Sequence, residues 1–442
     1  MMGGDARSIP EGWAIARLGD IIPKARSKIP ADPKSSLPFI GMDHIEPDSF
    51  HLNGQDSFAK MKSAGSYFRP GDVIYGRLRP YLNKIHRANF EGVASAEFIV
   101  LPSSEFYDGD FAKYLLHQRK FVDFAMSRSS GDRPRVKFDG ISDFEFQLPP
   151  LNEQRRIVEK IEMLFARLDK GEEALRKVQK LLSRYRQSVL KAAVNGKLTA
   201  DWRRANSLAD WREIELGELV KFLTSGSRGW AKYYAPSGAL FIRAQNLKHD
   251  RLDLDDPAYV RLPKASEGTR TRVRRGDLLV TITGANVTKT AIVKVDLEEA
   301  YVSQHVGLLR LTEDTDSEFV YWFLVAKAGG RRQLEEFAYG AGKPGLNLTN
   351  IREVKLALPS LREQKEIVAR IQEAIDRISL VEVWCQTEHA RSAALRQSLL
   401  KDAFTGRLVP QDPIDEPATA LLARIKEERA TAPGKTRRKA RA

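Results

Sequence analysis

A block of 51 residues occurs twice in this chain, 210 residues apart and without a gap. Leu148-Pro149-Pro150-Leu151-Asn152-Glu153-Gln154 returns as Leu358-Pro359-Ser360-Leu361-Arg362-Glu363-Gln364, and Gly196-Lys197-Leu198 returns as Gly406-Arg407-Leu408. Between Leu148 and Leu198, 18 of the 51 aligned positions are identical. A repeat of this length means two similar structural units, so function has to be asked of the pair. Fainter echoes lie upstream of each block: Trp13 with Leu18-Gly19-Asp20 and Trp211 with Leu216-Gly217-Glu218, Phe39-Ile40 and Phe241-Ile242, Gly71-Asp72 and Gly276-Asp277. Their spacing varies, as it does when core strands persist and loops diverge. The order is globular, helix, globular, helix.

Each repeated block reads as a long helix bounded by proline and glycine, Pro150 with Gly196 and Pro359 with Gly406. In the first, Ile157, Ile161, Leu164, Leu168, Gly171, Leu175, Val178, Leu182, Tyr185 and Val189 alternate by four and three, the seam of a coiled coil. The second keeps that register with Ile367, Ile371, Ala374, Ile378, Val381, Cys385, Leu395 and Leu399, with Glu388 and Ser392 as polar interruptions. Gly171 in the seam weakens the helix by about 1 kcal/mol relative to alanine. Two seams in one chain pack most simply on each other, antiparallel, with a pseudo-two-fold axis perpendicular to them. A helix of this size is roughly 65 to 70 Å long and serves as a spacer.

The expected fold class is α+β: two tandem mixed α/β globular domains separated by two long helices packed as an antiparallel coiled coil. The expected borders are 1–147 and 201–357 for the globular domains, 148–200 and 358–410 for the helices, and 411–442 for a short helix and basic tail. The 442 residues, 42% of them hydrophobic, suffice for two separate cores. No apolar stretch is long enough to span a bilayer and Met1 to Trp13 has no signal-peptide run, so a cytoplasmic protein is expected. One cysteine and seven scattered histidines offer no disulfide and no zinc spacing.

A net charge of +14 and a pI near 9.6 point to a polyanionic partner. Thr269-Arg270-Thr271-Arg272-Val273-Arg274-Arg275 alternates arginines, which on a strand would line one face. The run from Arg77 to Lys84 holds a similar place in the first copy, after its Gly-Asp turn. The glycine-containing loops at 128–135, with Arg133 and Arg135, and at 339–345, with Lys343, suit phosphate contact. Base reading in the major groove needs paired donors and acceptors, which Arg77, Arg79 and Asn83 offer in the first copy and Arg228, Gln245, Asn246 and Asn286 in the second; Lys84 and Lys289 add charge beside them. Trp230 suits either stacking on a base or a buried core position, the commoner case. The tail from Lys435 to Arg441 adds five positive charges.

The paired Leu-Pro-x-Leu-x-Glu-Gln-x-x-Ile-Val openings, the Arg-Gln-Ser-x-Leu-Lys endings and the terminal Gly-Lys-Leu and Gly-Arg-Leu resemble the specificity subunit of a type I restriction-modification system, the HsdS family. The resemblance covers essentially the whole chain. It implies two target recognition domains reading the halves of an asymmetric bipartite double-stranded DNA sequence, no catalysis in this chain, two methyltransferase subunits as partners and restriction-translocase subunits when DNA is cut. S-adenosylmethionine, ATP and magnesium then belong to those partners. The residues agree: there is no Walker loop, Gly340-Ala341-Gly342-Lys343-Pro344 having neither its spacing nor its hydroxyl, no Asn-Pro-Pro-aromatic sequence and no dinucleotide fingerprint. Two other readings compete, a free-standing DNA-binding regulator and a nuclease built on Glu353 and Lys355, a short match that reads better as a solvated strand.

Overall fold

The computed structural model describes residues 9–22, 24–263, 269–338 and 345–431. The chain forms two compact units, Met1–Ala174 with Glu388–Ala442 and Leu175–Thr387. Their borders fall inside the long helices. Each unit therefore holds one globular part, the opening of the helix that follows it and the closing portion of the other long helix.

The first unit begins with a short antiparallel pair, Ala14–Arg17 against Glu145–Leu148, which brings the two ends of the globular part together. Between them lie a five-stranded sheet containing the parallel pair Pro38–Ile40 and Gly92–Ser95, and a three-stranded sheet ordered Ile85–Arg87, Val73–Gly76, Phe98–Leu101. The second unit follows the same plan. Arg212–Glu215 pairs with Lys355–Leu358, Ala239–Ile242 runs parallel to Ala300–Val302, and Leu278–Thr281 lies between Thr290–Ile292 and Val306–Leu311. In each, a helix starts on an aspartate cap: Asp108 accepts from the amides of Asp110 and Phe111, and Asp316 from those of Glu318 and Phe319.

The Gly-Asp echo has a structural cause. Gly71 and Gly276 take φ of 89° and 87°, a left-handed turn that suits glycine. The aspartate that follows is buried and receives an arginine fork, Arg26 on Asp72 at 2.7 and 3.0 Å and Arg310 on Asp277 at 2.8 and 2.7 Å. Hydrogen bonds from the Arg26 side chain and the Ser103 and Arg69 amides outweigh burial and hold the Asp72 carboxyl below its ordinary value.

The long helices run from Leu151–Val194 and Leu361–Ala403, 44 and 43 residues. Both stop on a left-handed glycine, Gly196 or Gly406, with the next amide donating back five residues, Lys197 to Ala192 and Arg407 to Asp402, each at 2.9 Å. Of the expected seam, Ile157, Ile161, Ile367, Ile371 and Ile378 are buried, and Leu164, Leu168, Leu175, Val178, Leu182 and Leu399 are half-buried. Gly171, Tyr185, Val381 and Leu395 are exposed, so they are not seam residues. The covered stripe instead passes through Glu172 and Arg186 in the first helix and Glu382, Glu388, Ser392 and Arg396 in the second. A strict seven-residue repeat drifts around a helix of 3.6 residues per turn, and consecutive steps of four, 164 to 168 to 172, correct that drift.

Of the two polar interruptions, Ser392 belongs to a polar layer between the helices, while Glu388 pairs along its own helix with Arg391 at 2.7 Å; the ionic layers are duplicated. In the first unit Arg396 donates to Asp169 at 2.7 Å and Glu172 at 3.3 Å, beside Ser392, which donates to Glu172 at 2.7 Å. In the second unit Arg186 donates to Glu382 at 3.2 and 3.3 Å. Residues 172 and 382 are 210 apart, as are 186 and 396, so the same antiparallel register recurs in each unit. Arg186→Glu is expected to destabilise the second unit by about 1 kcal/mol by facing like charges, and adding Glu382→Arg should restore most of it. Denaturant unfolding of the single and double variants checks this.

The repeated Glu-Gln pair anchors each helix to its globular part. Gln154 accepts from the Asp108 amide at 2.9 Å and donates to the Pro149 carbonyl at 3.0 Å; Gln364 does the same with Asp316 at 2.8 Å and Pro359 at 2.9 Å. Glu153 receives the Trp13 indole N–H at 2.9 Å and Glu363 that of Trp211 at 3.1 Å. The third partner differs. Gln411 donates to Glu153 at 3.1 Å and to the Gly406 carbonyl at 2.8 Å, while Arg203 donates to Glu363 at 2.9 Å and to the Gly196 carbonyl at 2.8 Å, with Thr199 adding a bond at 2.7 Å.

That exchange of a neutral amide for a cation separates the two carboxyls. Burial pushes Glu153 above its ordinary value, because Gln411 and Trp13 offset only part of the desolvation. Burial pushes Glu363 up as well, but Arg203, Thr199 and Trp211 bring it below. An ionised Glu363 thus contributes stability that is complete above the unfolded carboxyl range, about pH 4.3, and is lost as pH falls through its lower folded value. For Glu153 the sign reverses: ionisation costs stability at neutral pH, and acid relieves that cost. Glu363→Gln should cost about 3 kcal/mol near pH 7 and Glu153→Gln about 1 kcal/mol or less, the gap closing as the pH is lowered through the carboxyl range. Unfolding measured across pH tests the difference.

Candidate nucleic-acid interface

In the first unit the loop joining Val73–Gly76 to Ile85–Arg87 carries Arg77, Arg79, Tyr81, Asn83 and Lys84. Its backbone is tied to the second basic segment that the sequence singles out. The Arg79 amide donates to the Pro134 carbonyl at 2.7 Å, the Val136 amide to the Arg77 carbonyl at 3.1 Å, and Leu78 bridges Arg135. The two stretches thus form one surface, on which Arg79 and Arg133 are exposed. Arg135 is exposed as well but is occupied: its fork holds Glu97 at 2.9 to 3.2 Å, and that bond keeps the Glu97 carboxyl below its usual range.

Asn83 is not available to read a base. Its side chain is buried, donating to Asp48 at 3.0 Å and to the His117 carbonyl at 3.1 Å, with the His117 ring nitrogen at 2.9 Å. Lys84 is half-buried and donates to the Met42 carbonyl at 2.6 Å, and Arg77 is half-buried. Asn83 and Lys84 hold the loop in shape. Arg79 and Asn83 both adopt left-handed backbone, with φ of 51° and 48°.

The corresponding loop of the second unit is 282–289, between Leu278–Thr281 and Thr290–Ile292. It meets the segment after 344 in the same way, with Thr283 bridging Gly345 and the Leu346 amide donating to the Ile282 carbonyl at 2.8 Å. Lys343 lies outside the described residues, as does the basic run from Lys435 to Arg441. Asn286 donates to the Ala244 carbonyl at 3.2 Å and Lys289 is half-buried. Gln245 is exposed and reaches Asp256 at 3.2 Å; Asn246 is buried, capping the Arg243 amide and donating to the Asp253 and Asp256 carbonyls, so it too belongs to the framework. Arg228 is exposed, while Trp230 is buried, stacked on Phe241 and edge-on to Tyr301.

The arginine stripe is not a regular strand. Thr269–Thr271 is a 3-10 turn, followed by a single bridge from Arg272 to Tyr301. The alternation survives: Arg270, Arg272 and Arg274 are exposed and Thr271 and Val273 buried. By its pairing the stripe corresponds to Gly65–Phe68 of the first unit, which likewise borders the strand running parallel to the early one. It is therefore a second surface element, and the equivalent of 77–84 is the loop 282–289. Arg270 donates to the Ser225 carbonyl at 3.2 Å and to the Thr224 hydroxyl, and Arg272 to the Glu298 carbonyl at 3.0 Å, which leaves Arg274 the least committed of the three.

Sequence reasoning missed the Glu153 and Glu363 anchors as chemistry, although Trp13 and Trp211 recur at the front of each copy. Among the described residues no group of three histidines, cysteines or carboxylates is placed to hold a metal ion, and no helix is long and apolar enough to cross a membrane. Glu353 and Lys355 are exposed, the latter at the start of the strand that closes the second unit.

Residues 10–177 and 209–382 both match the family model of the type I restriction modification DNA specificity domain. Each match takes in one globular part and the opening of the helix after it. The specificity subunit of the EcoKI enzyme of Escherichia coli is 24% identical, the alignment covering 97% of this chain and 98% of that one; the StySPI specificity subunit of Salmonella potsdam is 27% identical, with 97% of both covered. A solved chain from a type I restriction-modification system superposes with a TM-score of 0.73 at 20% identity, covering 90% of this chain and 99% of that one. The HsdS subunit of Thermoanaerobacter tengcongensis gives 0.57 at 21% identity, with 92% and 100% covered. Two matched domains on a duplicated frame leave one conclusion: the chain belongs to the family of type I restriction-modification specificity subunits, and its function is DNA sequence specificity.

Proposed function

We propose that this chain reads an asymmetric bipartite sequence in double-stranded DNA, one half with segment 1–147 and the other with 201–357. The helical segments 148–200 and 358–410 form its frame, and 411–442 its closing helix and tail. The chain performs no chemistry; it directs adenine methylation by two methyltransferase subunits and cleavage by restriction-translocase subunits, in the cytoplasm. S-adenosylmethionine, ATP and magnesium are held by those partners.

The observation that carries this reading is one plan with two loop chemistries. The loop at 77–84 offers an exposed arginine and an aromatic ring, whereas its counterpart at 282–289 offers Gly284, Ala285 and Asn286. Phosphate contacts from arginines such as Arg133, Arg228 and Arg274 position the duplex without selecting a sequence, while groups that reach base edges select it. Different loops on one scaffold therefore give different half-sites. A free-standing regulator would bind its site tightly alone and leave no methyl mark.

Single-molecule sequencing of methylated adenines in cells expressing this chain with its methyltransferase partner tests the reading. Two short specified blocks separated by a gap of fixed length, with unlike sequences, are expected. A single contiguous motif, or tight binding by the isolated chain with no methylation, would contradict it.

A further inference from the structure

We infer that Tyr81 inserts its ring against a base step in the DNA half-site of the first unit, acting as a stacking wedge that its counterpart loop lacks. This rests on the proposed reading of DNA by the two units and adds to it a specific residue and mode of contact.

The first observation is solvent exposure. Among the described phenylalanines, tyrosines and tryptophans of the first unit, Tyr81 alone is exposed, at 52%, while the others are buried or half-buried. Its ring is not needed by the core.

The second is the rigidity of the loop beneath it. Tyr81 sits in the turn Pro80–Leu82, between two left-handed residues, Arg79 and Asn83. The Leu82 amide donates to the Arg79 carbonyl at 2.8 Å, the Asp48 amide to the Leu82 carbonyl at 2.8 Å, and the buried Asn83 amide group locks the far end. Ordering a loop on binding costs affinity, and here the order exists beforehand. The third is charge: Arg79 and Arg133 are exposed on the same surface, suited to the phosphates on either side of a wedged step. An inserted ring unstacks and kinks a duplex at a flexible step, so what insertion costs depends on the sequence of that step. The second unit holds Gly284-Ala285-Asn286 at this place, so the wedge is confined to one half-site.

The test compares the methyltransferase complex assembled with the natural chain, Tyr81→Ala and Tyr81→Phe, on its methylated target duplex, on a duplex with an unrelated first half-site, and on the target carrying a mismatch at the contacted step. Tyr81→Ala should lose about tenfold or more of its affinity for the target, while binding to the unrelated duplex and its salt dependence stay unchanged, since no charge is removed. Tyr81→Phe should bind like the natural chain. The mismatched duplex, already weakened in stacking, should recover much of the loss. A Tyr81→Ala complex as selective and as tight as the natural one overturns the inference. So does a variant that fails to hold its methyltransferase, since the ring would then face protein. A natural complex with no preference between target and unrelated first half-site would instead overturn the reading on which the wedge depends.

Discussion

Each long helix is fixed to its globular part by a buried glutamate that accepts an indole N–H from far away in sequence, Trp13 to Glu153 across 140 residues and Trp211 to Glu363 across 152. A buried carboxylate is tolerated only when its lone pairs are used. The neighbouring glutamine completes the joint by spanning the proline ahead of the helix and the aspartate that caps another one. That joint sets where each long helix starts and ties it to the globular part before it. The recurrence of Leu-Pro-x-Leu-x-Glu-Gln is a hydrogen-bonding requirement before it is a family signature.

The joint is also where the duplicates part. The position closing Glu363 is Arg203, in the link that follows the first long helix, and the position closing Glu153 is Gln411, in the segment that follows the second. Each helix end thus folds back to seal the opening of the other helix's unit, once with a cation and once with an amide. The result is one carboxyl held below its usual range and one held above it. The duplication is strict in geometry and loose in charge.

Much of this was legible in the sequence where the determinants are local. Proline and glycine boundaries, the Gly-Asp turns and the isoleucines at the helix openings all depend on neighbours within a turn or two. The failures share a cause. Glu172, Arg186, Glu382 and Arg396 fall off the expected seam until the partner helix is in view, because the steps of four that keep a straight helix in contact pull the stripe off a strict heptad. Asn83 and Asn246 have the donors of base readers, but their partners Asp48 and Asp256 are 35 and 10 residues away, and no spacing rule reveals that they are spoken for. The arginine stripe kept its alternation of exposure while losing its strand, since buried Thr271 and Val273 need only alternate, not pair. Tyr81 passed unremarked because an aromatic in sequence defaults to the core.

Two independent readers on one duplicated frame are tested most directly by exchanging the first reader alone. A chimaera in which residues 14–148 come from a relative keeps both indole-to-carboxylate anchors, since Trp13, Glu153, Trp211 and Glu363 all lie outside the exchanged segment. Sequencing methylated adenines in cells that express it with the methyltransferase should show one half of the recognised sequence replaced and the other half and the gap unchanged. A motif altered in both halves would contradict separable reading.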